Sequence, residues 1–319
     1  MSEISIIGAG AFGTALAVQF ARFGHATTLC ARSEKAALNL AETRENAARL
    51  PGVMLPKALK ISSDPLVLGN ILLLSMPAQA IGPFLRAHGQ AISAKALVAC
   101  CKGIDIETGL GPADLIAQFT EITPAILTGP SFASDIAKGL PTALTLACTD
   151  EALGAELQAA LATDTLRLYR STDVKGAQLG GALKNVMAIA CGLTIGAGLG
   201  ESARAALMTR GFAEMNRFAL SRGARAQTLA GLSGFGDLAL TCTSMQSRNF
   251  AFGVGLAKGD TDTHGKTVEG VSTAKAVAAI SRTEGLDLPI TRLVYAVTSG
   301  QMPLVDAISA LLSRPLKEE

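Results

Sequence analysis

The sequence predicts an α/β fold: a doubly wound, mainly parallel sheet followed by an all-α C-terminal domain. Three observations lead to this prediction. The chain begins with a short apolar strand, a glycine-rich turn and a helix. Further apolar runs are continuous rather than alternating, which is typical of parallel strands covered by helices on both faces. After about residue 175 the strand pattern ends and apolar residues recur at helical spacing.

The length and charge of the chain limit what it can be. Its 319 residues allow two domains, and we predict them at residues 1–175 and 176–319. The 28 basic and 26 acidic residues form no long run, so we expect no nucleic-acid partner. The uncharged run 66–85 is interrupted by glycine and proline, and Glu3 stands where a signal peptide would be basic. We therefore expect no membrane insertion and a cytoplasmic protein.

Cysteine and histidine spacing argues against a metal site. The six cysteines have no CxxC spacing and mostly lie in apolar runs, as expected of small buried side chains in a reducing compartment. The three histidines, His25, His88 and His264, are scattered. We expect no metal ion, and we interpret the histidines as surface or core residues.

The glycine-rich turn has the spacing GxGxxG, formed by Gly8, Gly10 and Gly13. Between a strand and a helix, this spacing predicts a Rossmann-type dinucleotide site, because the glycines let a pyrophosphate approach backbone N–H groups. The second strand, "TTLCAR", ends at Arg32, where an NAD site would carry an acidic residue. Arginine suits a 2′-phosphate, so we predict NADP(H), with NAD(H) as the alternative. Arg32 as a solvated loop residue is the competing interpretation.

The remaining apolar runs predict the rest of the sheet. They cover residues 70–77, 96–103, 124–131 and 142–149. Ligands of such sheets bind beyond the carboxyl ends of the strands, where Lys102 and the segment 129–131 lie.

The second half of the chain has helical patterns only. Start and stop signals predict helices over 272–284, 289–298 and 304–313. One apolar stripe comprises Met208, Phe212, Met215 and Ala219, and we expect Arg210, Glu214 and Arg217 to lie off it.

Lys184 is the only charged residue between Lys175 and Glu201. Burying an ammonium group is costly, and desolvation lowers its pKa. A lysine with its pKa lowered to about 7–8 can act as a general acid or base. Lys184 is therefore a candidate proton-transfer residue. A lysine that extends to solvent along its apolar stem is the competing interpretation.

A second polar cluster, "SRN", offers a hydroxyl, a guanidinium and an amide at Ser247, Arg248 and Asn249. Arginine is suited to bidentate contact with a phosphate. An ordinary helix start with Ser247 as its N-cap is the alternative. Equally ordinary roles stay open for other residues: a loop lysine for Lys102, and a turn or helix cap for Asp237 and Ser131.

Seven segments together resemble the bacterial NAD(P)-dependent glycerol-3-phosphate dehydrogenases. They occur in that family's order and are "GAGAFGTALA", "CKGI", "GPSFA", "LKNVMAIACG", "TRGFAEM", "GLSGFGDLALTCTSMQSRN" and "VEGV". The resemblance implies a 6-phosphogluconate-dehydrogenase-like architecture. It also implies reversible hydride transfer between nicotinamide C4 and C2 of sn-glycerol 3-phosphate, used mostly to reduce dihydroxyacetone phosphate for phospholipid synthesis. Such folds are usually homodimers, so we expect a homodimer.

The resemblance implies roles for individual residues. Lys184 matches the family's proton acceptor, so we predict that Lys184 is catalytic and that Asp237 is its carboxylate partner. The matching substrate contacts are Lys102, Gly129, Ser131, Lys184, Asp237, Ser247, Arg248 and Asn249. The matching cofactor contacts are Gly8, Gly10, Ala11, Phe12, Gly13, Arg32, Lys102, Ala133, Arg248 and Glu269. Ala11 replaces a serine found in many relatives, so a hydroxyl contact to the cofactor is absent.

Two other functions are compatible with parts of the pattern. A dehydrogenase of β-hydroxy acids or of ketopantoate would use the same architecture and bind a carboxylate instead of a phosphate. A non-catalytic NADP(H) sensor would need no set of lysine, aspartate, serine, arginine and asparagine around its ligand.

Overall fold

The computed structural model describes residues 2–66, 69–260 and 267–312. An eight-stranded sheet has the order β3-β2-β1-β4-β5-β6-β7-β8. The strands are β1 Glu3–Ile7, β2 Ala26–Cys30, β3 Lys60–Ser62, β4 Ile71–Leu74, β5 Ala96–Ala99, β6 Pro124–Thr128, β7 Thr142–Cys148 and β8 Leu166–Ser171. Every neighbouring pair is parallel except β6 and β7. The predicted mainly parallel sheet is therefore confirmed.

Six helices accompany the sheet, and eight more follow in the second half of the described chain. The first six are α1 Ala11–Arg22, α2 Glu34–Thr43, α3 Ala78–His88, α4 Pro112–Phe119, α5 Ala133–Ala137 and α6 Glu151–Leu161. The later ones are α7 Val174–Gly196, α8 Gly200–Ser221, α9 Ala226–Ala230, α10 Asp237–Thr241, α11 Arg248–Ala257, α12 Glu269–Glu284, α13 Pro289–Thr298 and α14 Leu304–Leu312. A π-helical turn, Leu232–Gly236, leads into α10.

Two strands, β3 and β8, were not predicted from the sequence, and each has a physical reason. β3 has only three residues. β8 alternates buried Leu166 and Leu168 with exposed Arg167 and Tyr169, as expected of an edge strand rather than a continuous apolar run. The observed strands are also shorter than the apolar runs from which they were predicted. β2, for example, ends at Cys30, two residues before Arg32.

Helix α7 forms the centre of the helical half. Its residues from Gly176 to Thr194 are all buried, so the helix is enclosed by protein on every side. Among the described residues it is the one helix long and apolar enough to cross a membrane, and 89% of its most apolar window is buried inside the protein. α8, α11 and α12 pack around it. The position of Lys184 in a buried core helix follows from this packing.

The prediction that Glu214 lies off the apolar stripe of α8 was wrong. Glu214 is 4% exposed. Its carboxylate accepts hydrogen bonds from the backbone N–H groups of Ile290 and Thr291, at 2.6 and 3.1 Å, and from the Thr291 hydroxyl at 3.2 Å. The first turn of α13 thus packs on α8 and satisfies the buried carboxylate.

The predicted helices of the second half correspond to observed ones. α13 has the predicted bounds, and α12 starts three residues before the predicted Ser272. Ser313, the predicted end of α14, and His264 lie outside the described residues. The division at residues 175 and 176 stays a prediction; α7 begins beside it, at Val174.

Candidate active site

The glycine-rich turn joins β1 to α1 at the carboxyl edge of the sheet. Gly8 has φ +113°, and a Cβ there would lie 2.8 Å from the Met76 nitrogen. A Cβ on Gly13 would lie 2.2 Å from the Gly8 oxygen. Packing therefore requires both glycines. Gly10 differs, because its added Cβ would meet nothing closer than the Ser75 oxygen at 3.9 Å. A side chain at Gly10 would instead fill the space above the turn, where a dinucleotide pyrophosphate needs room.

The other predicted cofactor residues surround this turn. Ala11 and Phe12 begin α1, and Phe12 packs partly against the core of the sheet. Arg32 is exposed beyond the end of β2. Ala133 begins α5 beyond β6 and also packs against that core. The residues present fit a bound dinucleotide along the carboxyl ends of these strands.

Lys184 lies in a buried network of side chains. It is 7% exposed, and its Nζ donates to Thr241 Oγ1 at 2.7 Å. Its Nζ also lies 3.2 Å from Asp237 Oδ1. Thr241 Oγ1 in turn donates to Asp237 Oδ1 at 3.3 Å. The predicted contact between Lys184 and Asp237 is present, and the alternative of a lysine reaching solvent is not.

Lys102 reaches the same carboxylate from the sheet. Its Nζ donates to Asp237 Oδ2 at 2.6 Å and to the Gly129 carbonyl oxygen at 3.0 Å. Asp237, 1% exposed, thus accepts from two ammonium groups, one on each carboxylate oxygen. Two cations on one anion leave the cluster with a net positive charge, which suits an anionic or developing anionic ligand.

Burial lowers the pKa of Lys184 from 10.5 to about 8. Desolvation is the largest cause, the Asp237 carboxylate raises the pKa, and the Lys102 ammonium lowers it again. A group with a pKa near 8 exchanges protons readily at physiological pH. This lysine can therefore act as a proton donor or acceptor.

The segment after β6 borders this cluster. Gly129 has φ +138°, a conformation that favours glycine. Its carbonyl oxygen accepts from Lys102 Nζ and, at 3.3 Å, from Ser131 Oγ. Gly129 and Ser131 are thus beside Lys102, as the sequence analysis predicted for residues at a strand's carboxyl end.

The "SRN" cluster begins α11. Ser247 is the N-cap of this helix, and its hydroxyl accepts from Phe250 N at 3.3 Å. Asn249 is buried, donating to Asn185 Oδ1 and accepting from Gly270 N, both at 2.9 Å. Asn185 itself donates to the Lys102 carbonyl oxygen at 3.1 Å. These bonds link the cluster to Lys102, and Arg248 is the exposed member.

Glu269 and Arg248 interact electrostatically. The pKa of the Arg248 guanidinium is lowered, and desolvation is the largest cause. The Glu269 carboxylate raises this pKa, and the positive charge of Arg49 lowers it. Burial raises the pKa of Glu269, whose Oε1 accepts from Ala78 N at 3.2 Å. Glu269 therefore connects the start of α12 to the start of α3, next to the end of β4.

Three polar residues near the site were missed: Thr241, Asn185 and Arg49. A sequence signal existed for Thr241, because it lies four residues after Asp237 and so on the same helical face. Asn185 follows Lys184 directly, yet its role depends on contacts with segments far away in the chain. Among the described residues, no group of three or more histidine, cysteine or acidic side chains could hold a metal ion.

Two family models match the chain. They are described as the C-terminus and the N-terminus of NAD-dependent glycerol-3-phosphate dehydrogenase, and they match residues 173–309 and 3–154. The chain belongs to the NAD-dependent glycerol-3-phosphate dehydrogenase family. The earlier resemblance to this family is thereby confirmed.

Relatives in the glycerol-3-phosphate dehydrogenase family match over the full length. A protein from Ruegeria sp. named glycerol-3-phosphate dehydrogenase [NAD(P)+] is 56% identical, and the match covers 99% of this chain and 100% of the relative. One of the same name from Cereibacter sphaeroides is 55% identical with the same coverage. A crystal structure of the Coxiella burnetii glycerol-3-phosphate dehydrogenase superposes with a TM-score of 0.93 at 32% identity, covering 98% of this chain and 99% of that one.

A ketopantoate reductase from Ralstonia eutropha shares the architecture more loosely. Its TM-score is 0.61 at 16% identity, with 96% of this chain and 99% of that chain covered. This likeness concerns the fold alone. The predicted architecture, with a helical domain after the Rossmann-type sheet, is thus common to both dehydrogenase groups.

Proposed function

We propose that this protein catalyses the NAD(P)-dependent interconversion of sn-glycerol 3-phosphate and dihydroxyacetone phosphate. One observation carries the proposal: Asp237 joins the ammonium groups of Lys184 and Lys102 in a buried cluster at the carboxyl edge of the dinucleotide-binding sheet. Family membership supplies the substrate and the cofactor class. The chain is thus an oxidoreductase acting on a CH–OH group.

Lys184 is the proton-transfer group of this proposal. In the reducing direction its ammonium gives a proton to the oxygen on C2 as negative charge develops there. In the oxidising direction the neutral amine takes the proton of the C2 hydroxyl. A pKa of about 8 keeps most of the lysine protonated at neutral pH, which favours the reducing direction. Thr241 and Asp237 hold Nζ in place, because both accept its hydrogen bonds.

Lys102 and the "SRN" cluster bind the substrate. The Lys102 ammonium adds positive charge beside the reacting oxygen. Arg248 is exposed at the start of α11 and is free to receive the phosphate, while Ser247 and Asn249 order the turn around it. Gly129 and Ser131 form the neighbouring wall. These assignments are supported by the hydrogen bonds that link Asn249, through Asn185, and Gly129 to Lys102.

The glycine-rich turn, Phe12, Arg32, Ala133 and Glu269 bind the dinucleotide. When bound, its nicotinamide C4 supplies or accepts the hydride. Arg32 lies exposed beyond β2, where the adenosine ribose of a Rossmann-bound dinucleotide is recognised, and its charge supports NADP(H) over NAD(H). Ala11 contributes backbone but no hydroxyl at this site.

The proposal extends to the setting of the enzyme. The reaction supplies glycerol phosphate for phospholipid synthesis in the cytoplasm, and the enzyme is a homodimer, as is usual for such folds. Residues 1–175 form the dinucleotide-binding domain and residues 176–319 the substrate domain. Light scattering after size exclusion measures the dimer directly.

The experiment that tests the function is an NADPH-oxidation assay with three substrates. We expect rapid turnover of dihydroxyacetone phosphate and little turnover of ketopantoate or of a β-keto acid. Faster turnover of ketopantoate or of the β-keto acid would show that the enzyme reduces a carboxylate substrate instead. NADPH binding without turnover of any of them would support the sensor alternative.

A further inference from the structure

The Lys102 side chain must bridge a gap between two parts of the protein. It extends from the loop after β5 to Asp237 on α10, where its Nζ is 2.6 Å from Oδ2. From the helical domain, Asn185 Nδ2 donates a hydrogen bond of 3.1 Å to the Lys102 carbonyl oxygen. Something must also fix the loop from the side of the sheet, since a small displacement at Lys102 would separate its Nζ from Asp237.

Gln79 makes that connection. It lies in the first turn of α3, and its Nε2 donates to the Ile104 carbonyl oxygen at 2.8 Å. Its Oε1 accepts from Ile106 N at 3.1 Å. One side-chain amide thus pairs with the backbone two residues and four residues after Lys102.

The loop packs directly against the same turn of α3. A Cβ on Gly103 would lie 2.6 Å from the Ala78 Cβ and 3.1 Å from Glu269 Oε2. The Ala78 nitrogen is the group that donates to Glu269. The start of α3 therefore contacts two groups: the loop that carries Lys102, a proposed substrate contact, and the carboxylate of Glu269, a proposed cofactor contact.

The loop does not need Gln79 to keep its own shape. Asp105 N donates to the Leu110 oxygen and Gly109 N to the Asp105 oxygen, both at 2.9 Å. Asp105 Oδ1 also accepts from the Thr108 nitrogen and hydroxyl at 2.9 and 2.7 Å. These bonds close the turn internally. What the Gln79 amide determines is where that turn sits relative to α3 and the sheet.

We propose that Gln79 is a positioning residue for Lys102, setting the reach of its ammonium group to Asp237 and to the substrate. This inference rests on the proposed function, because it assigns Lys102 to substrate binding. The hydrogen bonds of the Gln79 amide go to the backbone of Ile104 and Ile106, so it acts through the loop and not on the reacting atoms.

The first test replaces Gln79 by leucine, which keeps the size of the side chain and removes both hydrogen bonds. We expect KM for dihydroxyacetone phosphate to rise about tenfold, equivalent to 1.4 kcal/mol. The Kd for NADPH should change less than this KM, since Lys102 is one of many predicted cofactor contacts, and the Tm should stay close to the wild-type value. Gln90→Leu is the matched control, because Gln90 is exposed and donates to the Phe119 oxygen away from Lys102. Equal KM values for the two leucine variants would overturn the inference.

A double-mutant cycle with Lys102→Met separates positioning from general support. If Gln79 acts through Lys102, Gln79→Leu should change KM less than about twofold in the Lys102→Met background. A tenfold effect that persists in that background would overturn the inference. Should Gln79→Leu fold poorly, Gln79→Glu serves in the same cycle, since it keeps the acceptor for Ile106 N and loses the amide donor. A wild type inactive on dihydroxyacetone phosphate would instead overturn the proposed function.

Discussion

Lys184 and Glu214 are two buried ionisable residues in the helical half of the protein, and they have different kinds of partner. They are 7% and 4% exposed. Burial moves both toward the neutral form: it lowers the pKa of Lys184 to about 8 and raises that of Glu214 to about 7. Judged by the pKa alone, either residue would qualify as a catalytic acid or base.

Their partners distinguish them. Glu214 accepts from two backbone N–H groups and a hydroxyl in the first turn of α13, all of which are structural donors. Lys184 shares a carboxylate with Lys102, which comes from the dinucleotide-binding half. A shifted pKa therefore reports burial, and it is the origin of its partners that makes Lys184 the better candidate for chemistry.

The largest expected effect is on turnover when Lys184 is replaced. Lys184→Met should lower kcat by about 10²–10⁴, the usual range for a lost proton-transfer group. NADPH binding and folding should survive, because the change removes a costly buried charge. Lys184→Arg should be equally inactive, since guanidinium does not release its proton in this range. Measuring kcat and Tm on the same preparations checks this, and an active Lys184→Met would transfer the role to Lys102.

Glu214→Ala should produce the opposite pattern. Removing the acceptor leaves buried N–H groups of α13 unsatisfied, which should cost about 3 kcal/mol of unfolding free energy. The Tm should fall by roughly 5–10 °C, while kcat per folded molecule stays within about twofold. Glu284→Ala is the control, because Glu284 belongs to an exposed ion pair with Arg222. A large loss of kcat at full folding would place Glu214 in the chemistry and remove the contrast.

Arg248→Ala tests what an exposed cation contributes, in contrast to the buried residues Lys184 and Glu214. Its charge-assisted hydrogen bonds to a phosphate are worth about 1.5–3 kcal/mol, so KM for dihydroxyacetone phosphate should rise tenfold or more. Dihydroxyacetone, which lacks the phosphate, should be affected much less. The Kd for NADPH must be measured alongside, because Arg248 also interacts electrostatically with Glu269, a predicted cofactor contact. Equal losses with both substrates would show that Arg248 does not recognise the phosphate.

The two buried residues should also give stability opposite dependences on pH. Between about pH 4.5 and 7 the folded protein holds the Glu214 proton more tightly than the unfolded chain, so stability should fall as pH rises. Between about pH 8 and 10.5 the unfolded chain holds the Lys184 proton more tightly, so stability should rise with pH. Each slope is at most about 1.4 kcal/mol per pH unit.

Urea unfolding across both pH windows measures these slopes. Glu214→Gln should remove only the acid-side contribution, and Lys184→Met only the alkaline one. Slopes that stay unchanged in these variants would mean that other groups govern the pH dependence.

The smallest expected effect concerns Arg32, which lies exposed on the surface. Arg32→Ala should weaken the binding of NADPH by about tenfold or less and leave the binding of NADH nearly unchanged, because only NADPH carries the 2′-phosphate. The ratio of kcat/KM values for the two cofactors, before and after the change, is the measurement. A wild type that strongly prefers NADH would contradict the interpretation of Arg32.

Local sequence patterns predicted most of the fold. The GxGxxG turn, the continuous apolar runs and the helix caps each depend on residues close together in the chain. They located β1, β2, β4 to β7, α1 and, in the second half, α7, α8 and α12 to α14. β8 was missed because an edge strand carries charged residues on its open side. The antiparallel pairing of β6 and β7 has no local signal.

The site was predicted in part, for a related reason. Lys184 stood out by its isolation, whereas Asp237 was identified through the family resemblance. The hydrogen bonds of Asn185 and Gln79 join segments between 25 and 83 residues apart, and neither residue type is unusual in its local context. Glu214 misled the helical-stripe argument because its partners belong to α13, 77 residues away in the chain.

The carboxylate of Asp237 is held by ammonium groups that belong to opposite halves of the chain. A rotation of one half against the other would lengthen the contact between Lys102 and this carboxylate while leaving the secondary structure of each half intact. We therefore expect the KM for dihydroxyacetone phosphate to report how well the two halves are aligned. In mild denaturant this KM should rise while the circular dichroism spectrum is still that of a folded protein.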